Sequence, residues 1–265
     1  MRIIVPIKQV PETKSVKMDE ATGTVIREGV ESIINPLDLY AIELAIQIKE
    51  KVGGETVALT MGPPKAIEAL KEAVAMGIDE ACMLSDKVFG GSDTWATSYV
   101  LAEAIKKLGN YDLIICGERA TDGDTGQVGP GIASFLDIPV LSYVNKLEDI
   151  DDDRCTVHRL IEEGEDVSAC GYPLLLTVVK EVSDPRLPTL RGKKRAKQQD
   201  IPTWGNEKLN LDVSLLGLKG SPTRVAKIFR PKVARECEKV TASDEAGTAK
   251  AVEAFVQFMQ RRELK

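Results

Sequence analysis

Five short apolar runs, separated by segments of helical period, constrain this chain more than any other feature of its sequence. The runs lie at 2–7, 56–60, near 80–84, at 112–116 and at 140–144. Helical patterns fall between them over 65–76, 93–108 and 127–136. An earlier helix is signalled by Asn35-Pro36-Leu37-Asp38, with Asn as N-cap, Pro at the first helical position and Asp in the first turn. Its apolar positions Ala41, Leu44, Ala45 and Ile48 recur at helical spacing, and Gly53-Gly54 ends it. Strands alternating with helices imply a parallel sheet covered on both faces by right-handed crossovers. The fold expected is therefore α/β, Rossmann-type, with a mostly parallel sheet and helices on both faces.

Outside that repeat the pattern changes. Residues 16–26 read as a hairpin with Ala21-Thr22-Gly23 at the turn. Beyond Asn145, 147–154 is acidic and turn-like, and 155–161, 167–171 and 174–179 read as antiparallel strands, the last one buried. The stretch 183–197 is rich in Pro, Arg and Lys, and 246–262 is an amphipathic helix with Ala251, Ala254, Phe255 and Phe258 on one face. Residues 1–185 are expected to form the core domain and 186–265 a basic loop followed by an extended C-terminal arm.

Composition removes several function classes. A net charge of −6 argues against a nucleic-acid binder held by phosphate neutralisation. No apolar run is long enough to span a bilayer. The N-terminus enters a strand at once, without a basic region and cleavage site, so a cytoplasmic location is expected. Five cysteines, none in a C-x-x-C pair, suit a reducing compartment, and Cys82 and Cys116 read as buried thiols. His158, the single histidine, reads as a surface residue. With no metal-ligand cluster and no nucleophile elbow, no catalytic residue is assigned, and any chemistry is expected from a bound cofactor.

Ligands of open α/β sheets bind at the carboxyl ends of strands. Three such ends are candidates for one crevice fitted to adenosine: Pro6-Ile7-Lys8 beside Asn35, Leu59-Thr60-Met61, and the turn Asp122 to Val128. In that turn Thr125, Gly126 and Gln127 precede a helix whose free N–H groups suit a phosphate, although a helix cap with Asp or Thr is an equal reading. Ser92, Asp93, Thr94 and Thr97 open another helix; Ser92 or Asp93 can cap it, while Thr94 and Thr97 lie one turn apart and can face a ligand. Arg186, Leu190 and Arg191 fall in a basic stretch that is either a solvated loop or a protein-docking loop built on an exposed leucine.

These pieces occur in the order and spacing of the electron-transfer flavoprotein (ETF) beta-subunit family, which the chain resembles over nearly its whole length. The resemblance is carried by the first strand with Lys8, Asn35-Pro36, 59–63, 122–129, Asp184-Pro185-Arg186 through Lys197, and Gly220-Ser221-Pro222-Thr223. It implies an adenine nucleotide alpha hydrolase-like fold, a heterodimer with an ETF alpha subunit, and an adenine-nucleotide site. It also implies a loop that docks a partner FAD-dependent dehydrogenase, with Leu190 as anchor.

Simple carriers of this family hold AMP in the beta-subunit site; electron-bifurcating members hold a second FAD there and take hydride from NADH. Asp122 to Pro130 and Gly91 to Thr94 resemble the bifurcating pattern, with Gly126 where many such members carry Ala. That resemblance implies FAD as cofactor, NADH as donor at Ser92, Asp93, Thr94 and Thr97, and ferredoxin as a further partner. NADH-dependent flavin oxidoreductase activity is then expected only in the complex. The alternatives are an AMP-holding carrier and, in another class, a nucleotide-hydrolysing or adenylating enzyme of related fold. The latter wants a P-loop or pyrophosphate loop that is missing from the sequence.

Overall fold

The computed structural model describes residues 1–12, 17–18, 25–26, 31–226, 239 and 241–261. In chain order the elements are β1 (Arg2–Pro6), β2 (Gln9–Pro11), β3 (Lys17–Met18), β4 (Val25–Ile26), β5 (Ser32–Ile34), α1 (Pro36–Val52) and β6 (Glu55–Met61). There follow α2 (Ile67–Met76), β7 (Glu80–Leu84), α3 (Thr94–Leu108), β8 (Leu113–Gly117), α4 (Val128–Leu136) and β9 (Val140–Ile150). The remainder is β10 (Arg154–Ile161), β11 (Gly164–Gly171), β12 (Leu174–Val178), α5 (Leu190–Gln198), β13 (Thr203–Trp204), α6 (Asn206–Leu209), α7 (Gly217–Gly220) and α8 (Glu245–Arg261). Chain contacts divide it into two units, Met1–Lys227 and Ile228–Lys265.

One nine-stranded sheet, ordered β11-β10-β9-β12-β8-β1-β6-β7-β13, organises the first unit. From β9 to β13 every neighbour is parallel. Successive strand residues point to opposite faces, so each strand feeds two cores. Ile3, Val5, Leu113, Ile115, Leu174 and Leu176 pack with Leu44, Ile48 and Leu70 of α1 and α2. Ile4, Ile114, Cys116 and Leu175 pack with Val100, Ile105 and Ile132 of α3 and α4 on the other face. The mostly parallel, doubly covered sheet is the architecture that the strand–helix alternation implies.

Three local expectations need correction. The run at 174–179 is not antiparallel: β12 inserts between β8 and β9, parallel to both. Strands β10 and β11 reverse direction twice, so the returning chain runs with β9 again, and burial of every β12 residue suits an interior parallel strand. The acidic stretch 147–154 is a turn only at 151–153; β9 runs on to Ile150, because its acidic residues occupy the solvent side of a one-sided antiparallel ribbon. Asn35 precedes α1 but makes no side-chain cap bond, because its amide is used elsewhere. The hairpin of 16–26 appears as β3 pairing antiparallel with β4; its turn lies outside the described residues.

The basic stretch is helical from Leu190 onward. Thr189 caps α5 by accepting from the Gly192 N–H at 2.9 Å, and α5 packs on α2. Residues 190–220 thus belong to the first unit. Cys82 and Cys116 are buried, and burial pushes the Cys82 thiol up to about 12. Cys237 lies outside the described residues. His158 is half-buried on β10, its Nε2 3.0 Å from Glu148 Oε2. Among the described residues no helix is long and apolar enough to cross a membrane.

Candidate functional site

After β7 the chain crosses back to place β8 on the far side of β1, so the strand order reverses between β1 and β8. In an open α/β sheet a crevice forms at such a switch point, outside the carboxyl ends of the strands. A cavity of about 860 Å³ lies there. It is walled by the segments leaving β1, β6, β7 and β8 and by the N-terminal ends of α3 and α4.

Pro6, Ile7, Lys8, Met61, Thr125, Gly126, Gln127 and Val128 line the cavity, as do Ser92, Asp93, Thr94 and Thr97 on the α3 side. Leu59 and Thr60 do not; both are fully buried, and the Thr60 hydroxyl donates to the Ile7 carbonyl at 2.7 Å, shaping the wall from behind. Asp122 lies outside the lining, and both of its carboxylate oxygens accept from Lys8 Nζ, at 2.7 and 2.8 Å. Arg186, Leu190 and Arg191 do not line this cavity.

Asn35 is buried beneath the site. Its Nδ2 donates to Asp38 Oδ1 (3.0 Å) and to the Arg119 carbonyl (2.9 Å), and its Oδ1 accepts from the Thr121 N–H (3.0 Å). Asp38 Oδ2 accepts from the Lys8 N–H at 2.7 Å. Burial pushes the Asp38 carboxyl up to about 7, against the opposing pull of the Asn35 amide, the Lys8 and Gly117 N–H groups and the Lys8 charge. By sequence Asp38 is only a first-turn charge of α1; in the fold it lies in the cavity wall. Ser85 to Lys87 and Gly117 to Ala120 also line the cavity and are missing from the sequence assignments. The rule that ligands meet strand carboxyl ends points to both segments.

The α3 wall is clasped by the late segment of the first unit. Asp93 Oδ1 caps α3 through the Ala96 N–H (3.0 Å), while Oδ2 accepts from the Thr223 N–H (2.9 Å) and hydroxyl (2.7 Å). Partial burial works against the charge of Asp93, but these bonds outweigh it and hold the carboxyl below its usual range. Ser221 Oγ accepts from the Asp93 N–H at 2.8 Å, so Ser221 and Thr223 of the Gly220 to Thr223 motif lock this wall. Across the cavity, Gln127 does not cap α4; its Oε1 accepts from the Thr94 hydroxyl at 2.9 Å and ties the two helix starts together. The α4 N-terminus is left without a side-chain cap beside a cavity that Val128 and Gly129 line. Uncapped helix N–H groups with the positive end of the helix dipole suit an anionic oxygen.

Comparison with known proteins bears on what this crevice serves. Residues 22–209 match the profile described as the electron transfer flavoprotein domain. The chain is similar to a caffeyl-CoA reductase-Etf complex subunit, CarD, of Acetobacterium woodii, at 48% identity over 92% of this chain and 93% of that protein. It is 46% identical to an electron transfer flavoprotein subunit beta of Thermoanaerobacterium thermosaccharolyticum, over 96% and 97% of the two chains. It is 41% identical to the protein FixA of Azotobacter vinelandii, over 88% and 85%. A matched domain over most of the length and near-complete coverage of the relatives converge: the chain belongs to the electron transfer flavoprotein family, as a beta subunit.

Proposed function

We propose that this subunit holds FAD in the switch-point crevice, receives electrons there from NADH, and works with an ETF alpha subunit in flavin-based electron bifurcation. One observation carries the reading. The cavity, about 860 Å³, continues from the ends of β1 and β8 to the uncapped start of α4, more room than a mononucleotide fills and near the upper end of ligand-site volumes. The residues present fit a dinucleotide. Gly126, at φ 63°, keeps the turn before α4 narrow, and the N–H groups of α4, which has no side-chain cap, offer donors to phosphate oxygens. Asp122 and Asp124 are paired with Lys8 and Arg119, so neither opposes a phosphate with a free charge.

FAD, when bound, supplies the hydride acceptance and single-electron release that no side chain here offers. The chain binds and orients. Pro6, Ile7 and Met61 flank the adenine end, Thr125 to Val128 take the phosphates, and Thr94 and Thr97 form the wall that NADH meets. Ser92 and Asp93 keep that wall in place, since both are engaged with the protein's own main chain. Similarity to a protein named as a subunit of a caffeyl-CoA reductase-Etf complex supports assembly with a partner reductase or dehydrogenase; ferredoxin is assigned as a second acceptor by the bifurcation reading alone. Docking is assigned to α5 through Leu190 and Arg191, and the C-terminal arm to contacts with the alpha subunit, in a cytoplasmic complex. Truncation after Val240 is then expected to impair assembly with the alpha subunit, read by co-purification.

The test is ligand analysis. The native heterodimer, denatured and chromatographed, is expected to release a second FAD beyond that of the alpha subunit, and no AMP. One FAD with stoichiometric AMP would leave the family assignment intact and overturn both the FAD and the bifurcation readings.

A further inference from the structure

We propose that Asp38 is a positioning residue for the adenine nucleotide of this crevice: its carboxyl fixes, directly and through Asn35, the separation of the two main-chain segments that form the crevice walls. The inference rests on the nucleotide reading above and assigns part of that site's affinity to a group beneath the ligand.

The two walls leave neighbouring strands. One is the main chain at Lys8, just past β1; the other is 119–121, past β8. A single chain of hydrogen bonds joins them. The Lys8 N–H donates to Asp38, the Asn35 amide donates to Asp38 and to the Arg119 carbonyl, and the Thr121 N–H donates to Asn35. Asn35 is wholly buried, and Asp38 is 6% exposed while still reaching the cavity lining. The Asn35 N–H also donates to the Lys8 carbonyl at 2.8 Å, so both main-chain polar groups of Lys8 are held by this node.

Every partner of the Asp38 carboxyl is a donor: the Lys8 N–H on Oδ2, the Asn35 Nδ2 on Oδ1, and the Gly117 N–H. An amide in its place must turn its NH₂ toward one of those donors whichever way it is flipped, and two buried donors facing each other cost both bonds. A second link, the Lys8 Nζ to Asp122 ion pair, spans the same walls at the surface, with side chains 48% and 33% exposed. Exposed pairs are screened and contribute little. The buried node therefore sets the spacing.

The titratable or charged groups facing Asp38 are Lys8 from the end of β1, itself paired with Asp122, and Cys116 from β8. Burial and the Asp38 charge push the Cys116 thiol up, so it stays protonated near neutrality. Protonation of Asp38 removes acceptor capacity from the node, and nucleotide affinity is expected to weaken as pH falls through neutrality.

The experiment uses the heterodimer, with FAD as probe because its pyrophosphate does not titrate near pH 7. Beta-site FAD is removed by dialysis and its return is followed by calorimetry in wild type and Asp38→Asn. The expected results are an affinity about tenfold or more weaker in the variant, faster hydrogen exchange at the Lys8 and Thr121 amides, and a wild-type affinity that falls from pH 8 to pH 6 while the variant's stays flat. A variant that only loosens the fold would lower the melting temperature without flattening the pH profile. Should Asp38→Asn fail to fold, Asn35→Ser cuts the link to 119–121 and keeps the Lys8 bond, and it too is expected to weaken FAD binding. Equal affinities overturn the role of Asp38 alone. A wild-type heterodimer that takes up neither FAD nor AMP in the beta subunit overturns the nucleotide reading, and this inference with it.

Discussion

Arg186 grips Glu43 with two prongs, Nε to Oε2 at 2.8 Å and Nη2 to Oε1 at 3.0 Å, and so moors the chain after β12 to α1. Glu43 is 3% exposed, and Arg186 also takes Glu50 from its outer side. By sequence Arg186 is a docking candidate; in the folded subunit its side-chain nitrogens bond to Glu43 and Glu50. These bonds fix the chain just ahead of α5, whose Leu190 is 88% exposed.

Removing the arginine strands a buried carboxylate. Arg186→Gln is expected to destabilise the subunit by about 2–3 kcal/mol, less than a fully buried pair because the arginine is one-third exposed. Urea unfolding of wild type and variant checks this; a difference near zero refutes it.

The same pair sets a pH dependence. Burial alone raises the Glu43 carboxyl, but the Arg186 bonds and the Gln47 amide outweigh it and hold it below its usual 4.5. A depressed folded value contributes stability above the unfolded value and loses it as pH falls through the folded one. Stability is thus expected to drop on acidification below about pH 4.5, and less steeply in Arg186→Gln, where the carboxyl has lost its partner. Parallel slopes in acid titrations of the two proteins would remove Glu43 from the explanation.

Leu190→Ala is expected to weaken the dehydrogenase partner's affinity by about 2 kcal/mol, roughly thirtyfold, as removal of a central anchor does. Leu190 is the first residue of α5 and its side chain lies outside the core, so flavin content and melting temperature are expected to hold. The measurement is electron transfer at varied partner concentration; unchanged half-saturation counts against the docking role.

Gly126 separates strain from bulk. Its φ of 63° lies in the left-handed region, and an added Cβ would meet Glu118 O at 3.5 Å, an ordinary contact. Gly126→Ala is expected to cost about 1–2 kcal/mol of backbone strain and to lower nucleotide retention modestly. Gly126→Leu, which fills the turn, is expected to release the beta-site nucleotide while the alpha-subunit flavin stays. Full adenine retention by the Leu variant is the refuting result.

Gly117 ends β8 against the start of α1, where a Cβ would lie 2.5 Å from Asp38 Oδ1 and 2.8 Å from the Leu37 carbonyl carbon. Gly117→Ala is expected to destabilise by about 1–3 kcal/mol through overpacking and to lower nucleotide affinity by displacing Asp38. Gly123→Ala, with nothing within 4 Å of its Cβ, is the control and is expected to change stability little. Equal melting temperatures for the two variants would show that α1 can yield.

The sequence alone determined the strand–helix alternation, the parallel sheet, and three of the strand ends that meet the cavity, because apolar period and turn residues are local signals. Lys8, Met61 and Thr125 to Val128 were legible in that way. Tertiary structure decided the rest. Whether 174–179 ran parallel depended on two chain reversals by β10 and β11, which no local pattern encodes. Asn35 reads as a cap until the segment at 119–121, more than eighty residues away, offers its amide better partners. Asp38 reads as a first-turn charge until the sheet buries it under the crevice. Thr60 and Asp93 sit in the right segments, but their polar atoms are claimed by Ile7 and Thr223 from distant parts of the chain. A sequence shows which residues can hydrogen-bond. Only the packed fold decides which partners arrive first and which groups are left for a ligand.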